Sequence, residues 1–452
     1  GRGAIDRRPE GHERVTIINE VTGRRVWDSR GHPTVEVDVT LESGAMGRAI
    51  APSGASRGSR EALDLRDGGA ALQGKGVARA LSSVAGPIAD AITGMDAQDQ
   101  ASVDAAILAL DSSPLKATLG GNAAVATSLA VLHAAAADAG VPLWLHVADQ
   151  TGFTPSLPLP EIQIFGGGAH AGRRVDIQDF MVMVPGASSF DEVMEITNEV
   201  YFAAGDIMQS RGKLAGVADE GGWWPMFDSN EEALETLVRA IEKAGEKPGD
   251  RVVISLDIAA SEFGENGCYR LALEDRKMDS AALIDMLGGW LDAYPIASIE
   301  DPLGEDDTDG TREFTRRFGD RVQIIGDDYL VTNAALVAQA QKDGACNAVL
   351  IKVNQAGTVS ESIDTFRKAR AANWGAIVSA RSGETEDVSI SHLATGLGGG
   401  QLKVGSFTRS ERMAKWNECL RIQDALGPQS FVGGAPLAGT WWGKKNSKEH
   451  AA

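Results

Sequence analysis

Asp257, Glu300 and Asp327 each follow a short apolar run: Val252–Leu256, Ile296–Ile299 and Val322–Gly326. Three more runs, Ala348–Ile351, Gly375–Ser379 and Gln401–Leu402, lead to Lys352, to Ala380 with Arg381, and to Lys403. Runs this short, bounded by turn residues, predict buried strands. If the strands lie parallel in a barrel, their ends share one mouth and the charges converge there. Three carboxylates crowded together raise one another's pKa unless a cation neutralises them. Hard oxygen donors fixed on three rigid strands suit Mg²⁺. The alternative is a salt-bridge network in which Lys352 and Lys403 do the neutralising.

Lys352 lies in Leu350-Ile-Lys-Val-Asn354. Burial on an apolar strand, next to Lys403 and a metal ion, predicts a lowered pKa and an amine able to act as general base. Its target would be a proton α to a carboxylate, made removable by the cation.

These residues need a scaffold. The strand ends recur roughly 23 to 43 residues apart, the size of one strand–helix unit of a barrel. Helical patterns fill the gaps, as at Glu231–Ala244, Ser280–Trp290, Ala334–Lys342 and Ser360–Ala372. Before Thr151–Pro160 the pattern differs. Thr34–Leu41 alternates as a half-buried antiparallel strand, and Ala45–Ala51 is its return. Pro52–Gly58 is a loop of small residues without an apolar anchor, free to move. Helices are predicted at Val77–Ile92, Gln98–Leu110 and Asn122–Ala139. The expectation is an α/β protein: a flexible tail over 1–14, an α+β capping domain over 15–155, a (β/α)8 barrel over 156–442, and a second tail over 443–452.

Segments along nearly the whole chain resemble the enolase family. They are Asp28-Ser-Arg-Gly-His-Pro-Thr-Val-Glu36, Pro52-Ser-Gly-Ala-Ser56, Gly167-Gly-Ala-His-Ala-Gly172, Asp219-Glu-Gly-Gly222, Ser298-Ile-Glu-Asp-Pro302, Lys352-Val-Asn-Gln355, Arg381-Ser-Gly-Glu-Thr-Glu-Asp387 and Arg409-Ser-Glu-Arg412. The resemblance implies an enolase-like barrel enzyme interconverting 2-phosphoglycerate and phosphoenolpyruvate. It implies that Asp257, Glu300 and Asp327 hold one Mg²⁺ and that Ser56 helps bind a second. Lys352 would be the base, with Glu220 opposite it as the acid. Lys403 would bind the substrate carboxylate, Arg381 and Ser382 its phosphate, and His170 would line the site.

The sequence leaves the family pattern in places. Ala380 stands where enolases carry His, Asp179 where they carry Glu, and Arg57 follows Ser56 where Thr is usual. Retracting a carboxylate by one methylene can cost on the order of a hundredfold in rate. Arg57 adds a cation able to reach an extra anion. Trp223 and Trp224 would form either a platform for a planar group or loop packing. With the metal triad and Lys352 retained, these changes resemble those expected of carboxyphosphonoenolpyruvate synthase of phosphonate antibiotic pathways. That enzyme joins a phosphoglycerate or enolpyruvate unit to an activated phosphonoformate. Two alternatives stand beside it: an ordinary enolase, and a non-catalytic binding protein on the same fold. The first two are lyase or transferase chemistry.

The chain has 452 residues, with 43 Lys and Arg against 63 Asp and Glu, a net charge of -20. So acidic a surface repels nucleic acid and anionic lipid, while a local cation cluster still admits a small phosphate- or phosphonate-bearing carboxylate. Three scattered cysteines predict buried, reduced thiols and a cytoplasmic setting. The Ala-rich stretch 123–139 predicts a packed helix and no membrane span. The resemblance implies a homodimer or higher homo-oligomer.

Overall fold

The computed structural model describes residues 16–449. The predicted tail over 1–14 and the last three residues lie outside them. Three antiparallel strands come first: β1 (Ile18–Trp27), β2 (Pro33–Leu41) and β3 (Met46–Ile50), in the order β1-β2-β3. As the central strand, β2 is buried along almost its whole length rather than on one face. Val35, Val37 and Val39 join the core. Its acidic face is covered by cations from both neighbours: Arg24 of β1 pairs with Glu36 and Asp38, and Arg48 of β3 reaches Asp38 at 2.6 Å. The helix Gly121–Ala139 packs on β2 and β3. Gly47 lets β3 touch the helix backbone, since a Cβ there would sit 2.1 Å from the Ala130 carbonyl oxygen. Among the described residues no single helix is long and apolar enough to cross a membrane.

The barrel is built from β4 (Leu159–Gly166), β5 (Asp179–Met183), β6 (Val253–Asp257), β10 (Ile296–Glu300), β11 (Gln323–Gly326), β12 (Ala348–Ile351), β13 (Gly375–Ser379) and β14 (Gly400–Ser406). Between β6 and β10 a small sheet projects, made of β7 (Gly264–Glu265), β8 (Cys268–Leu271) and β9 (Arg276–Asp279). The eight barrel strands close in the order β10-β11-β12-β13-β14-β4-β5-β6. One departs from the parallel expectation: β5 runs antiparallel to both β4 and β6. Its first residue, not its last, therefore lies at the mouth. Asp179 pairs in register with Asp257, which pairs with Glu300.

Local sequence starts several barrel helices. Ser189, Ser229 and Thr358 each accept the backbone N–H of a Glu three residues on, at 3.1, 3.0 and 3.3 Å. The chain end corrects an expectation. Residues from 443 to 449, predicted as tail, belong to a helix, Trp441–Glu449. The indoles of Trp441 and Trp442 donate to the Ile296 and Asp250 carbonyls at 2.7 and 2.6 Å. Trp442 and Leu437 pack with Leu159, Met183, Val253 and Ala297 at the barrel floor. The anchors precede the polar stretch, so its polarity alone misled. The three cysteines are free, but Cys268, expected to be buried, is exposed.

Candidate active site

Asp257, Glu300 and Asp327 arrive at the mouth on β6, on β10 and just past β11. All three are buried. Lys403 of β14 reaches across the barrel, with Nζ 2.9 Å from Asp257, 2.7 Å from Glu300 and 3.3 Å from Asp179. Lys352 Nζ donates to Asp327 Oδ2, and the Gln355 amide donates to Asp327 Oδ1 at 2.7 Å. The salt-bridge network anticipated as the alternative is thus formed. It does not satisfy the acids. Glu300 Oε1 is buried with no hydrogen-bond partner among the described residues, and so is Gln178 Oε1, whose amide donates to Asp257 at 3.1 Å. Burial, then Asp257, hold the Glu300 carboxyl well above its ordinary range against the pull of Lys403. Burial, Asp327 and Asp257 push Asp301 up to about 8.

This surplus of buried oxygen donors fits a hard divalent cation at the mouth. Among the described residues two clusters bring three ligand atoms within 4.8 Å of one another: His170, Asp179 and Glu220, and Asp301, Asp327 and Asp328. Neither is the expected triad, between whose members Lys403 now stands.

Lys352 follows β12 directly and precedes the short helix Val353–Ala356. Its amine does not behave as the sequence suggested. Burial, Arg381 and Lys403 do lower its pKa, but the carboxylates, Asp327 above all and then Glu300, together outweigh them, and the amine stands above its ordinary value. The lowering predicted from neighbouring cations neglected the carboxylate the lysine touches. In the strand order β12 lies four places from β5 in a ring of eight. Lys352 and Asp179 therefore face each other across one cavity, which they line with His170, Glu220, Ala380 and Lys403.

On the β5 side, Asp179 Oδ1 meets His170 Nδ1 at 3.0 Å, and His170 Nε2 lies 3.7 Å from Glu220. Burial disfavours a charged imidazole, but Glu220 and Asp179 outweigh it and raise its pKa to about 9. Burial would likewise raise Asp179, yet His170 and Lys403 hold it well below the carboxylate range. Gln163 completes the group. Its amide donates to Asp179 and, at 3.5 Å, to Glu220, and accepts from the Gly222 N–H at 2.9 Å. The glycine run before His170 makes this fit, because a Cβ at Gly167 would sit 2.1 Å from the Ile177 carbonyl oxygen.

Opposite β6, Arg381 and Ser382 follow β13. Buried Arg412 donates to the Arg381 and Val404 carbonyls at 2.6 and 2.9 Å, and also to the Ser382 carbonyl, which fixes this turn. Ser382 Oγ accepts the Ala55 N–H at 2.6 Å, leaving its own proton to donate. The loop 52–58 is thereby docked on the mouth, and Ser56 lines the cavity.

Three sequence candidates lie off it. Arg57 donates to the Ala62 carbonyl at 2.7 Å and approaches Glu61 at 3.8 Å, pointing away from the cavity lining. Trp223 stacks on Tyr201 at 4.7 Å and donates to its carbonyl, so it packs the loop and offers no platform. Trp224 does not line the cavity either. Gln163 went unread in the sequence. The signal was there: Glu161 and Gln163 alternate with apolar neighbours in Leu159–Gly166, as side chains facing a barrel interior do. Two family models match the chain: "Enolase, N-terminal domain" over residues 18–147 and "Enolase, C-terminal TIM barrel domain" over residues 154–439.

Proposed function

The chain belongs to the enolase family and is an enzyme of that family; from that premise we propose that it removes the proton α to the carboxylate of a phosphoglycerate- or phosphoenolpyruvate-type substrate, with Mg²⁺ as cofactor. The observation that carries this reading is the opposition of Lys352 to the Glu220–His170–Asp179 group across one cavity, with the acidic triad beside it. Asp257, Glu300 and Asp327 would hold the first Mg²⁺, and Ser56 the second. When bound, Mg²⁺ supplies the positive charge that makes a carbon next to a carboxylate acidic.

The chain's own groups supply the rest. Lys352 takes the α-proton. Its contact with Asp327 keeps the amine at the cavity, and Asp327 would also hold the ion, whose positive charge would favour the neutral amine that a base requires. Lys403 meets the substrate carboxylate. Arg381 and the Ser382 hydroxyl meet the phosphate. Glu220 passes to a departing hydroxide a proton that it draws from the charged His170 imidazole 3.7 Å away. His170 keeps Glu220 and Asp179 close together despite their like charge.

Within this chemistry we favour the carboxyphosphonoenolpyruvate synthase reading. Its support has narrowed to Ala380 and Asp179, the two departures that touch the cavity. Ala380 leaves room where a larger ring would stand. The cavity holds about 20 Å³, room for about one water and well below ordinary small-molecule sites, so a substrate would have to displace side chains or the 52–58 loop around it. The intact Glu220–His170–Asp179 group favours the second reading, dehydration of 2-phosphoglycerate. Following phosphoenolpyruvate absorbance with 2-phosphoglycerate and Mg²⁺ separates the two. The specialised reading expects slow turnover, raised by Asp179→Glu with Ala380→His. Turnover at the median enzyme rate of about 10 per second in the unaltered chain would overturn it.

A further inference from the structure

Glu61 has no part in the roles above, yet it is 1% exposed and faces the Arg381 guanidinium. Arg381 Nη1 donates to its Oε2 at 2.9 Å and Nη2 to its Oε1 at 3.2 Å. Two contacts of this kind fix the plane of a guanidinium as well as its place. The remaining η hydrogens go to Asn354 Oδ1 at 3.0 Å and to the Ser56 carbonyl at 3.1 Å. The Nε–H edge is what these contacts leave for an anion in the cavity.

The same carboxylate does more. Oε1 accepts the Gly58 N–H at 2.9 Å and the Gln355 amide at 3.3 Å. That Gln355 amide also holds Asp327. One buried acid thus ties together the loop backbone, the guanidinium after β13 and the residue that steadies a proposed metal ligand. Loop and guanidinium are more than 300 residues apart in the chain, so no local preference links them.

We infer that Glu61 is a positioning residue that sets the orientation of Arg381 and, through Gly58, fixes the 52–58 loop so that Ser56 faces the cavity. The anion-binding part of this rests on the reaction proposed above. The mechanical coupling does not, and it can be measured without substrate. A lysine at 381 would keep the charge but cannot make both contacts at once.

The test is hydrogen–deuterium exchange of the loop amides from Ser53 to Ser59 in the full chain, with strand β12 as an internal control for an intact fold. Glu61→Gln and Arg381→Lys are each expected to speed loop exchange at least about tenfold, as loss of a buried charge-assisted contact should. The double variant is expected to exchange no faster than the faster single one, because both changes break the same link. Loop exchange at the wild-type rate in either variant, or effects that multiply in the double one, would overturn the inference. Should Glu61→Gln not fold, Glu61→Asp takes its place, because Arg381 also contacts the Ser56 carbonyl directly: faster loop exchange supports the link, and an unchanged rate refutes it. Loss of the coupling with α-proton removal intact sinks only this inference. Coupling without any α-proton removal sinks the proposed reaction and leaves the role of Glu61 standing.

Discussion

His170 offers a direct reading of the electrostatics at the mouth. Its imidazole is buried between two acids, and although burial opposes its charge, Glu220 and Asp179 raise its pKa from 6.5 to about 9. At about 1.4 kcal/mol per pH unit, this corresponds to about 3 kcal/mol of tighter proton binding in the folded chain. The sign follows from the direction. A group with a raised folded pKa contributes its full stability below 6.5, loses it progressively as pH climbs, and contributes none above about 9. Replacing it by a neutral side chain, His170→Gln, removes that dependence. The assay is urea unfolding of both proteins at about pH 6 and about pH 9.5. The stability gap between wild type and variant is expected to shrink by about 3 kcal/mol from the lower pH to the higher. A gap that stays constant, or widens, would refute the view of His170 as the cation that holds Glu220 and Asp179 together.

Other expectations follow from the same geometry. Glu300→Gln leaves the barrel folded but removes a hard ligand whose free oxygen lies buried at the mouth; Mg²⁺ affinity by titration calorimetry should fall at least about tenfold, and an unchanged affinity would remove Glu300 from the metal site. Arg57→Thr should leave KM and kcat within about twofold, because Arg57 is spent on the Ala62 carbonyl and Glu61; a large rise in KM would restore to Arg57 the anion-binding role first expected of it.

Much of this site was legible in the sequence because most of its charged residues end apolar runs, and a parallel barrel gathers strand ends. The rule missed whatever breaks that geometry. Asp179 begins its strand instead of ending it, since β5 is reversed; only the family resemblance flagged it. Glu61 and Arg381 pair across the two domains, and nothing near either residue announces the other. Gln163 is neutral, so a search for charges passes over it, although its alternation with Glu161 marked an inward face. The pKa of Lys352 was misjudged in sign for a related reason. Composition shows which charges gather, whereas the sign depends on the carboxylate that touches the amine. Trp223 shows the limit for aromatic residues, because stacking on Tyr201 is set by a helix some twenty residues earlier in the chain.

The most direct test concerns the α-proton itself. 2-Phosphoglycerate is incubated in D₂O with Mg²⁺, and deuterium entering carbon 2 is followed by NMR. The wild type is expected to exchange that hydrogen, and Lys352→Ala to slow the exchange at least about a thousandfold while still binding Mg²⁺. Exchange that continues at the wild-type rate without the Lys352 amine would contradict the account.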